Sequence, residues 1–139
     1  MTAAHIGQVL NIEEDCFAIP WTKGDFMREA ANERAIYFVA AIKGDIVGYG
    51  GMWHIVNEGH ITNVAVDQRF RRLGIGRSIL QALIDEAKRL KMIGMTLEVR
   101  MSNTPAQKLY TSFGFKPEGF RKNYYYDTKE DAIIMWLYF

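Results

Sequence analysis

The sequence predicts an α/β (α+β) fold, in which helices cover both faces of a mixed β-sheet. Some segments carry apolar residues at helical spacing. Others are short, rich in β-branched residues and alternate between apolar and polar positions, which is typical of strands. The order strand, helix, strand over residues 61–100 implies that two neighbouring strands run parallel. With 139 residues, a single domain spanning residues 1–139 is expected.

Composition restricts the classes of function. Hydrophobic residues make up 49% of the chain and aromatic residues 13%, which is typical of a globular protein. Lys and Arg total 17 against 16 Asp and Glu, so overall charge gives no reason to expect nucleic acid or a membrane as a partner. The oligomeric state stays open, and a monomer is compatible with the sequence.

Cys16 is the only cysteine and cannot form an intramolecular disulfide. No signal peptide or apolar run of about 18 residues is present, so a reducing cytosol is the expected compartment. Cys16 falls in a predicted helix without a recognisable histidine partner, which favours a buried packing residue over a catalytic thiol.

The N-terminal third is predicted to be helical. One amphipathic helix is expected over residues 4–16, and a second is expected from Thr22, which Asp25 would help to cap, to about residue 32. The apolar loop between them, residues 17–21, is either core packing or the wall of a binding groove. Packing is the safer interpretation from sequence alone.

Two strands, residues 36–42 and 46–56, are predicted to form a hairpin, and a third strand begins at His60. Glycines inside the second strand predict a bulge or a close approach by another segment. These glycines are Gly48, Gly50 and Gly51. His54 and His60 have no acidic or cysteine neighbour at metal-ligand spacing, so they are interpreted as structural and no metal site is expected.

In the C-terminal half, a helix from Ile75 is predicted to end at Gly94, followed by a strand over residues 95–100. Thr104 and Pro105 are typical of a helix start, and Gly114 of a helix end. The remaining aromatic segments, residues 115–126 and 132–138, predict an antiparallel hairpin.

The turn between residues 66 and 75 is the first candidate binding site. It contains several arginines, then Gly74 and Gly76, and leads into a helix whose N-terminal N–H groups and dipole favour an anion such as pyrophosphate. An ordinary connection with solvated arginines is the alternative. Ile79 replaces the third glycine of a dinucleotide motif, and the lysine of a Walker A loop is missing.

Two motifs resemble those of the GCN5-related N-acetyltransferases (GNAT). Arg71-Arg-Leu-Gly74-Ile-Gly76 is similar to their pyrophosphate signature R/Q-x-x-G-x-G/A, and residues 103–115 resemble N-x-x-A-x-x-x-Y-x-x-x-G-F. The resemblance implies acetyl-CoA as cosubstrate and a mostly antiparallel sheet of about seven strands with splayed central parallel strands. The implied cofactor-binding residues are Val64, Ala65, Val66, Arg71, Arg72, Leu73, Gly74, Ile75, Gly76, Arg77, Asn103 and Tyr110.

Acyl transfer from a thioester to an amine requires a base, a donor to the oxyanion and an acid for the leaving thiolate. Glu98, in an otherwise apolar strand, is the candidate base, and Tyr110 is the candidate acid. The alternatives are a Glu98 on the solvent face of an edge strand and a Tyr110 in the core. The resemblance implies that the backbone of Val64 and Val66 pairs with the pantetheine arm and offers N–H to the thioester oxygen.

Three further segments resemble the bacterial ribosomal-protein-alanine N-acetyltransferases, the RimI group: residues 97–103, 121–125 and 130–135. This resemblance implies acetylation of a protein N-terminal amine, with the alanine of a small-subunit ribosomal protein as substrate. The residues implied to flank the substrate peptide are Phe17, Pro20, Trp21, Tyr124 and Tyr125. Two alternatives are an acetyltransferase for small amines and a CoA-binding module without turnover.

Overall fold

The computed structural model describes residues 3–17, 21–125 and 127–139. Short 3-10 turns precede the first helix (Ala3–His5) and follow the third strand (Gln68–Phe70). The described elements are α1 (Ile6–Cys16), α2 (Lys23–Ala30), β1 (Ala35–Ile42), β2 (Asp45–Ile55), β3 (Glu58–Val66), α3 (Ile75–Arg89), β4 (Gly94–Arg100), α4 (Thr104–Ser112), β5 (Lys116–Tyr125) and β6 (Glu130–Tyr138).

The strands form one sheet in the order β1-β2-β3-β4-β6-β5. β3 and β4 run parallel, and every other neighbouring pair is antiparallel. The predicted mixed, mostly antiparallel sheet is confirmed. The expectation of about seven strands is wrong, because the described chain has six. The count of seven came from the family resemblance, whereas the residues themselves predicted six strands and an N-terminal helix. That helix forms as α1, with Ile6, Val9 and Ile12 buried at helical spacing.

Each face of the sheet carries its own hydrophobic core, as predicted. On one face α3 contributes Leu80 and Leu83, which are fully buried in the same cluster as Met95 of β4. On the other face α1 and α2 pack through Val9 and Phe26 in a cluster with Tyr49 of β2. The central strands are therefore held from both sides.

β3 and β4 pair over only a short distance. Their register covers Glu58–His60 against Gly94–Thr96, and from Ile61 onward β3 has no partner in β4. The predicted splay of the central parallel strands is confirmed. The sheet thus contains a gap between residues 61–66 and the second half of β4.

The glycines of β2 are required by close packing. A Cβ on Gly50 would lie 2.4 Å from Ile79 Cγ2, and one on Gly51 would lie 2.2 Å from the ring of Tyr37. The pairing of β2 with β3 also shifts register between Gly51 and Met52. Both the predicted bulge and the predicted close approach are therefore present.

The prediction that Gly94 ends α3 is wrong. The helix ends at Arg89, and Lys91 takes the left-handed conformation with φ 59°. Gly94 is the first residue of β4, where a Cβ would lie 2.6 Å from the carbonyl oxygen of Leu137. Gly114, with φ 99°, follows α4 as predicted.

We expect Gly51→Ala to lower the free energy of unfolding by about 1–3 kcal/mol, since overpacking of a core costs that much. The Tyr37 ring cannot easily yield, because its hydroxyl donates to Glu29 at 2.7 Å. Urea unfolding measures the change. Gly7→Ala is the control: it has open space in α1 and should gain roughly 0.5–1 kcal/mol. Equal effects of the two substitutions would contradict the packing argument.

Candidate active site

The loop after β3 ends in a helix N-terminus suited to an anion. Gly74 is the N-cap of α3 with φ 79°, and no atom would lie within 4 Å of a Cβ there, so glycine is required by conformation and not by space. The first turn of α3 has no acidic residue and no side-chain cap. Its N–H groups and the positive end of the helix dipole are therefore available to a ligand.

A cleft of about 740 Å³ lies beside this loop, and we call it the glycine-loop cleft. All but two of the predicted cofactor-binding residues line it. Leu73 does not, and its side chain is exposed, while Tyr110 lines a neighbouring cavity instead. The lining residues include Val64, Ala65, Val66, Arg71, Arg72, Gly74, Ile75, Gly76, Arg77 and Asn103, together with Cys16 and Phe17.

Two arginines at the cleft, Arg71 of the loop and Arg77 of the first turn of α3, have different surroundings. Arg71 reaches back over the end of β3, with its Nε 3.4 Å from the carbonyl oxygen of Val66 and its Nη2 3.4 Å from Cys16 Sγ. Arg77 turns to α4, where its guanidinium donates to Ser112 at 2.9 Å. The guanidinium of Arg71 is therefore held at the cleft, whereas that of Arg77 is bound to the neighbouring helix.

The interpretation of Cys16 as a buried packing residue is wrong. The residue is half-buried at the end of α1, it lines the glycine-loop cleft, and its thiol donates to the carbonyl oxygen of Val66 at 3.4 Å. The sequence could not show this, because the contact joins residues 50 positions apart.

The gap between β3 and β4 exposes backbone donors. Asp67 donates its N–H to Val47 of β2 at 2.7 Å, and the register with β2 is regular from Val64 to Val66. Because successive residues of a strand direct their N–H groups to opposite sides, those of Val64 and Val66 point into the gap. An extended ligand in the glycine-loop cleft could pair with them.

A second cavity, of about 710 Å³, contains Glu98 and Tyr110, and we call it the Glu98 cavity. It shares Phe17, Val64, Asn103 and Ala106 with the glycine-loop cleft, so the two spaces meet at the splayed strands. Four of the five predicted substrate-binding residues also line it: Phe17, Trp21, Tyr124 and Tyr125. Pro20 lies outside the described residues.

Glu98 belongs to an interior strand. β4 pairs with β3 and with β6, so the alternative of an edge-strand carboxylate is wrong. The side chain is 29% exposed, and its Oε1 lies 3.1 Å from Nε of Arg121 on β5. The carboxylate thus faces the cavity beside a guanidinium that offsets its charge.

Tyr110 is both a core residue and a cavity residue. It is 8% exposed and packs edge-on against Phe115, with ring centroids 5.8 Å apart. Burial, with a smaller contribution from Tyr125, raises the pKa of Tyr110 to about 12. The phenol therefore stays protonated at neutral pH and can serve as a hydrogen-bond donor.

Two consecutive tyrosines line one wall of the Glu98 cavity, although neighbouring residues of a regular strand face opposite sides. The pairing of β5 with β6 shifts register between Arg121 and Tyr125, and Asn123 has φ 51°. This irregularity allows Tyr124 and Tyr125 to reach the same cavity, with their rings 5.1 Å apart and nearly perpendicular.

Sequence reasoning missed an ion pair that supports this wall. Arg100, the last residue of β4, lies over the Tyr125 ring at 4.1 Å and donates twice to Asp127, at 3.1 and 2.9 Å. The guanidinium of Arg100 lowers the pKa of Asp127. The two residues are separated by 27 positions, so no local pattern signals the contact.

Glu13 is a second residue that the sequence reasoning missed. It is 3% exposed and lines the Glu98 cavity. Its Oε1 accepts the N–H of Trp21 at 3.1 Å, and its Oε2 accepts the hydroxyl of Tyr49. The spacing of Val9, Ile12 and Cys16 is a signal that could have found it, because this helical stripe also contains position 13.

The two histidines assigned a structural role line neither cavity. His60 does have an acidic neighbour, since its Nε2 lies 3.0 Å from Oε2 of Glu58 two positions earlier on β3.

Of the helices in the described ranges, none has the length and apolar character needed to cross a membrane.

Residues 6–115 match the model of the acetyltransferase (GNAT) family. The chain belongs to the GNAT family. This match confirms the resemblance drawn from the two motifs, and with it the prediction of an acyltransferase.

Particular relatives agree with this assignment. A Bacillus subtilis (strain 168) protein, provisionally named a ribosomal protein bS18-alanine N-acetyltransferase, is 40% identical over 138 residues, covering 99% of this chain and 91% of that protein. The crystal structure of the ribosomal-protein-S18-alanine N-acetyltransferase from Escherichia coli is 34% identical with a TM-score of 0.92, covering 99% and 90% of the two chains.

A second similar structure was determined with acetyl coenzyme A bound. It is from Bacillus anthracis (strain Ames), is provisionally named a streptothricin acetyltransferase, and is 28% identical to this chain with a TM-score of 0.71. The match covers 78% of this chain and 64% of that one.

We expect Glu13→Gln to change how stability depends on pH. Burial raises the pKa of Glu13 above its ordinary value of 4.5. Below that value the folded and unfolded chains both hold the proton. As the pH rises from 4.5 toward the raised pKa, the unfolded chain has released the proton while the folded chain still holds it, so unfolding becomes easier; above the raised pKa the loss of stability levels off. Denaturant unfolding from pH 4 to 8 should show the variant gaining stability over the unmodified protein as the pH rises; a constant or shrinking difference would contradict the burial argument.

Proposed function

We propose that this chain is one domain that transfers the acetyl group of acetyl-CoA to the N-terminal amine of a protein. The alanine of ribosomal protein bS18, the substrate in the names of its relatives, is the proposed acceptor. The observation that carries the proposal is the meeting of two spaces at splayed strands: one has an anion-binding loop, and the other contains a carboxylate and a protonated phenol.

Acetyl-CoA fits the glycine-loop cleft in three respects. The pyrophosphate would lie at the N-terminus of α3 between Gly74 and Gly76, with the guanidinium of Arg71 beside it. The pantetheine arm would pair with the N–H groups of Val64 and Val66 as an added strand does. The thioester would then lie where the cleft meets the Glu98 cavity.

Direct attack is the proposed chemistry. Glu98, directly or through a water molecule, takes a proton from the acceptor ammonium, and the neutral nitrogen attacks the thioester carbon. A backbone N–H in the gap stabilises the oxyanion. As the bond from carbon to sulfur breaks, the hydroxyl of Tyr110 donates its proton to the departing sulfur, and the resulting phenolate takes up the second proton that the nitrogen loses as the amide forms. No acyl-enzyme forms in these reaction steps, so Cys16 has no covalent role.

The acceptor peptide is proposed to pass between two aromatic walls. Phe17 and Trp21 form one wall, and Tyr124 and Tyr125 form the other. Pro20 stays a predicted substrate-binding residue. The cytosol, where ribosomal proteins are made, remains the predicted compartment.

The purified protein can be mixed with acetyl-CoA and short peptides beginning with Ala, Ser, Met or Gly, each with a free or a blocked α-amine, while CoA release is followed. Polyamines and other small amines are tested in parallel. Release with free peptides only, and most rapidly with Ala, is the expected result. Release only with polyamines or other small amines would replace the proposal by a small-molecule acetyltransferase. CoA binding without release would favour a binding module.

Glu98→Gln and Tyr110→Phe should each lower kcat by about 10²- to 10⁴-fold, the usual contribution of acid–base catalysis. CoA affinity should stay within about threefold, since neither residue lines the glycine-loop cleft. Tyr138→Phe is the matched control, because that tyrosine is exposed and bonds Glu118 outside both cavities. Cys16→Ala should retain turnover. An inactive Cys16→Ala protein that still binds CoA would contradict direct attack.

A further inference from the structure

Glu13 has an unusual environment for a carboxylate. It is 3% exposed, and its two oxygens accept hydrogen bonds from the N–H of Trp21 and the hydroxyl of Tyr49, which are both neutral groups. Among the described residues, no Lys, Arg or His lies within ion-pair distance of it. A buried carboxylate without a cation is costly, so the site is suited to a cation brought by a ligand.

The position of Glu13 also points to a ligand. It lines the Glu98 cavity from the side of α1. Its partner Tyr49 accepts a hydrogen bond from Asn63 Nδ2 at 3.2 Å, and Asn63 precedes Val64, whose N–H points into the gap between the strands. Two hydrogen bonds thus connect Glu13 to the residue beside the proposed reaction centre.

Comparison with two other glutamates shows what is particular to Glu13. Glu98 faces the same cavity, but Arg121 already offsets its charge at 3.1 Å. Glu29 is also buried, at 6% exposure, and accepts from Tyr37 and the Trp53 indole, but it does not line the Glu98 cavity. In the described chain, Glu13 alone combines burial, neutral partners and access to this cavity.

An α-amine has a pKa near 8, so most acceptor molecules arrive as ammonium ions at pH 7. We propose that Glu13 is a binding residue for the acceptor's α-ammonium group, holding it on the β3 side of the gap, opposite Glu98. This assignment rests on the proposed function, since it presumes an acceptor with a free amine. In this assignment Glu13 binds the charged amine, and Glu98 removes its proton.

The test compares two peptides that differ only at the α-amine, one free and one acetylated, on the CoA-loaded protein at pH 7. Isothermal titration measures both affinities, and no turnover occurs because CoA carries no acetyl group. Glu13→Gln should weaken the free peptide about tenfold or more, since hydrogen bonds to charged groups contribute about 1.5–3 kcal/mol. The acetylated peptide should bind unchanged.

Glu29→Gln is the matched control and should leave both affinities unchanged. If Glu13→Gln weakens both peptides equally, or neither, Glu13 only shapes the cavity wall and the assignment is wrong. A mainly structural role would give one of these results, because glutamine can still accept the Trp21 N–H and contact Tyr49.

Should Glu13→Gln fail to fold, Glu98→Gln provides a second measurement. With Glu13 intact, it should keep the preference for the free over the acetylated peptide, and loss of that preference would overturn the assignment. CoA release by the unmodified protein with free peptides decides the proposed function separately. Turnover without any free-amine preference in binding would overturn the role of Glu13 alone.

Discussion

The early end of the pairing between β3 and β4 is the constraint on which the site depends. The two strands are in register for three residues, from Glu58 to His60, and then separate. Helices packed on both faces hold the sheet together despite the gap. The separation frees the N–H groups of Val64 and Val66, and it joins the glycine-loop cleft to the Glu98 cavity. A fully paired sheet of the same composition would have neither feature.

The glycine-loop cleft and the Glu98 cavity carry opposite charges, although the whole chain has a formal net charge of only +1. Arg71, Arg72 and the N-terminus of α3 line the cleft. Glu13 and Glu98 line the cavity. An anionic cofactor and a cationic acceptor would therefore enter from different sides and meet at the gap, since each is attracted to the space that complements its charge.

Local features of the site could be predicted from the sequence because they depend on neighbouring residues. The loop of Gly74, the capping box of Thr22 and Asp25 in α2, and the stop at Gly114 were correctly predicted from backbone chemistry alone. Features that depend on contacts between distant residues could not be predicted in this way. Gly94 looked like a helix end, but it is a glycine because Leu137 of another strand lies against it. The environments of Cys16 and Glu13, and the contact of Arg100 with Asp127, likewise follow from the fold and not from local pattern.

Hydrogen exchange at the backbone amides of β3 tests the central claim most directly. The account predicts that the amides of Val64 and Val66 exchange rapidly in the protein alone and slow by about tenfold or more when CoA is added. The amide of Ala65, which faces β2, should be protected in both states. Rapid exchange at Val64 and Val66 with CoA bound would contradict the claim that the splayed strand holds the cofactor.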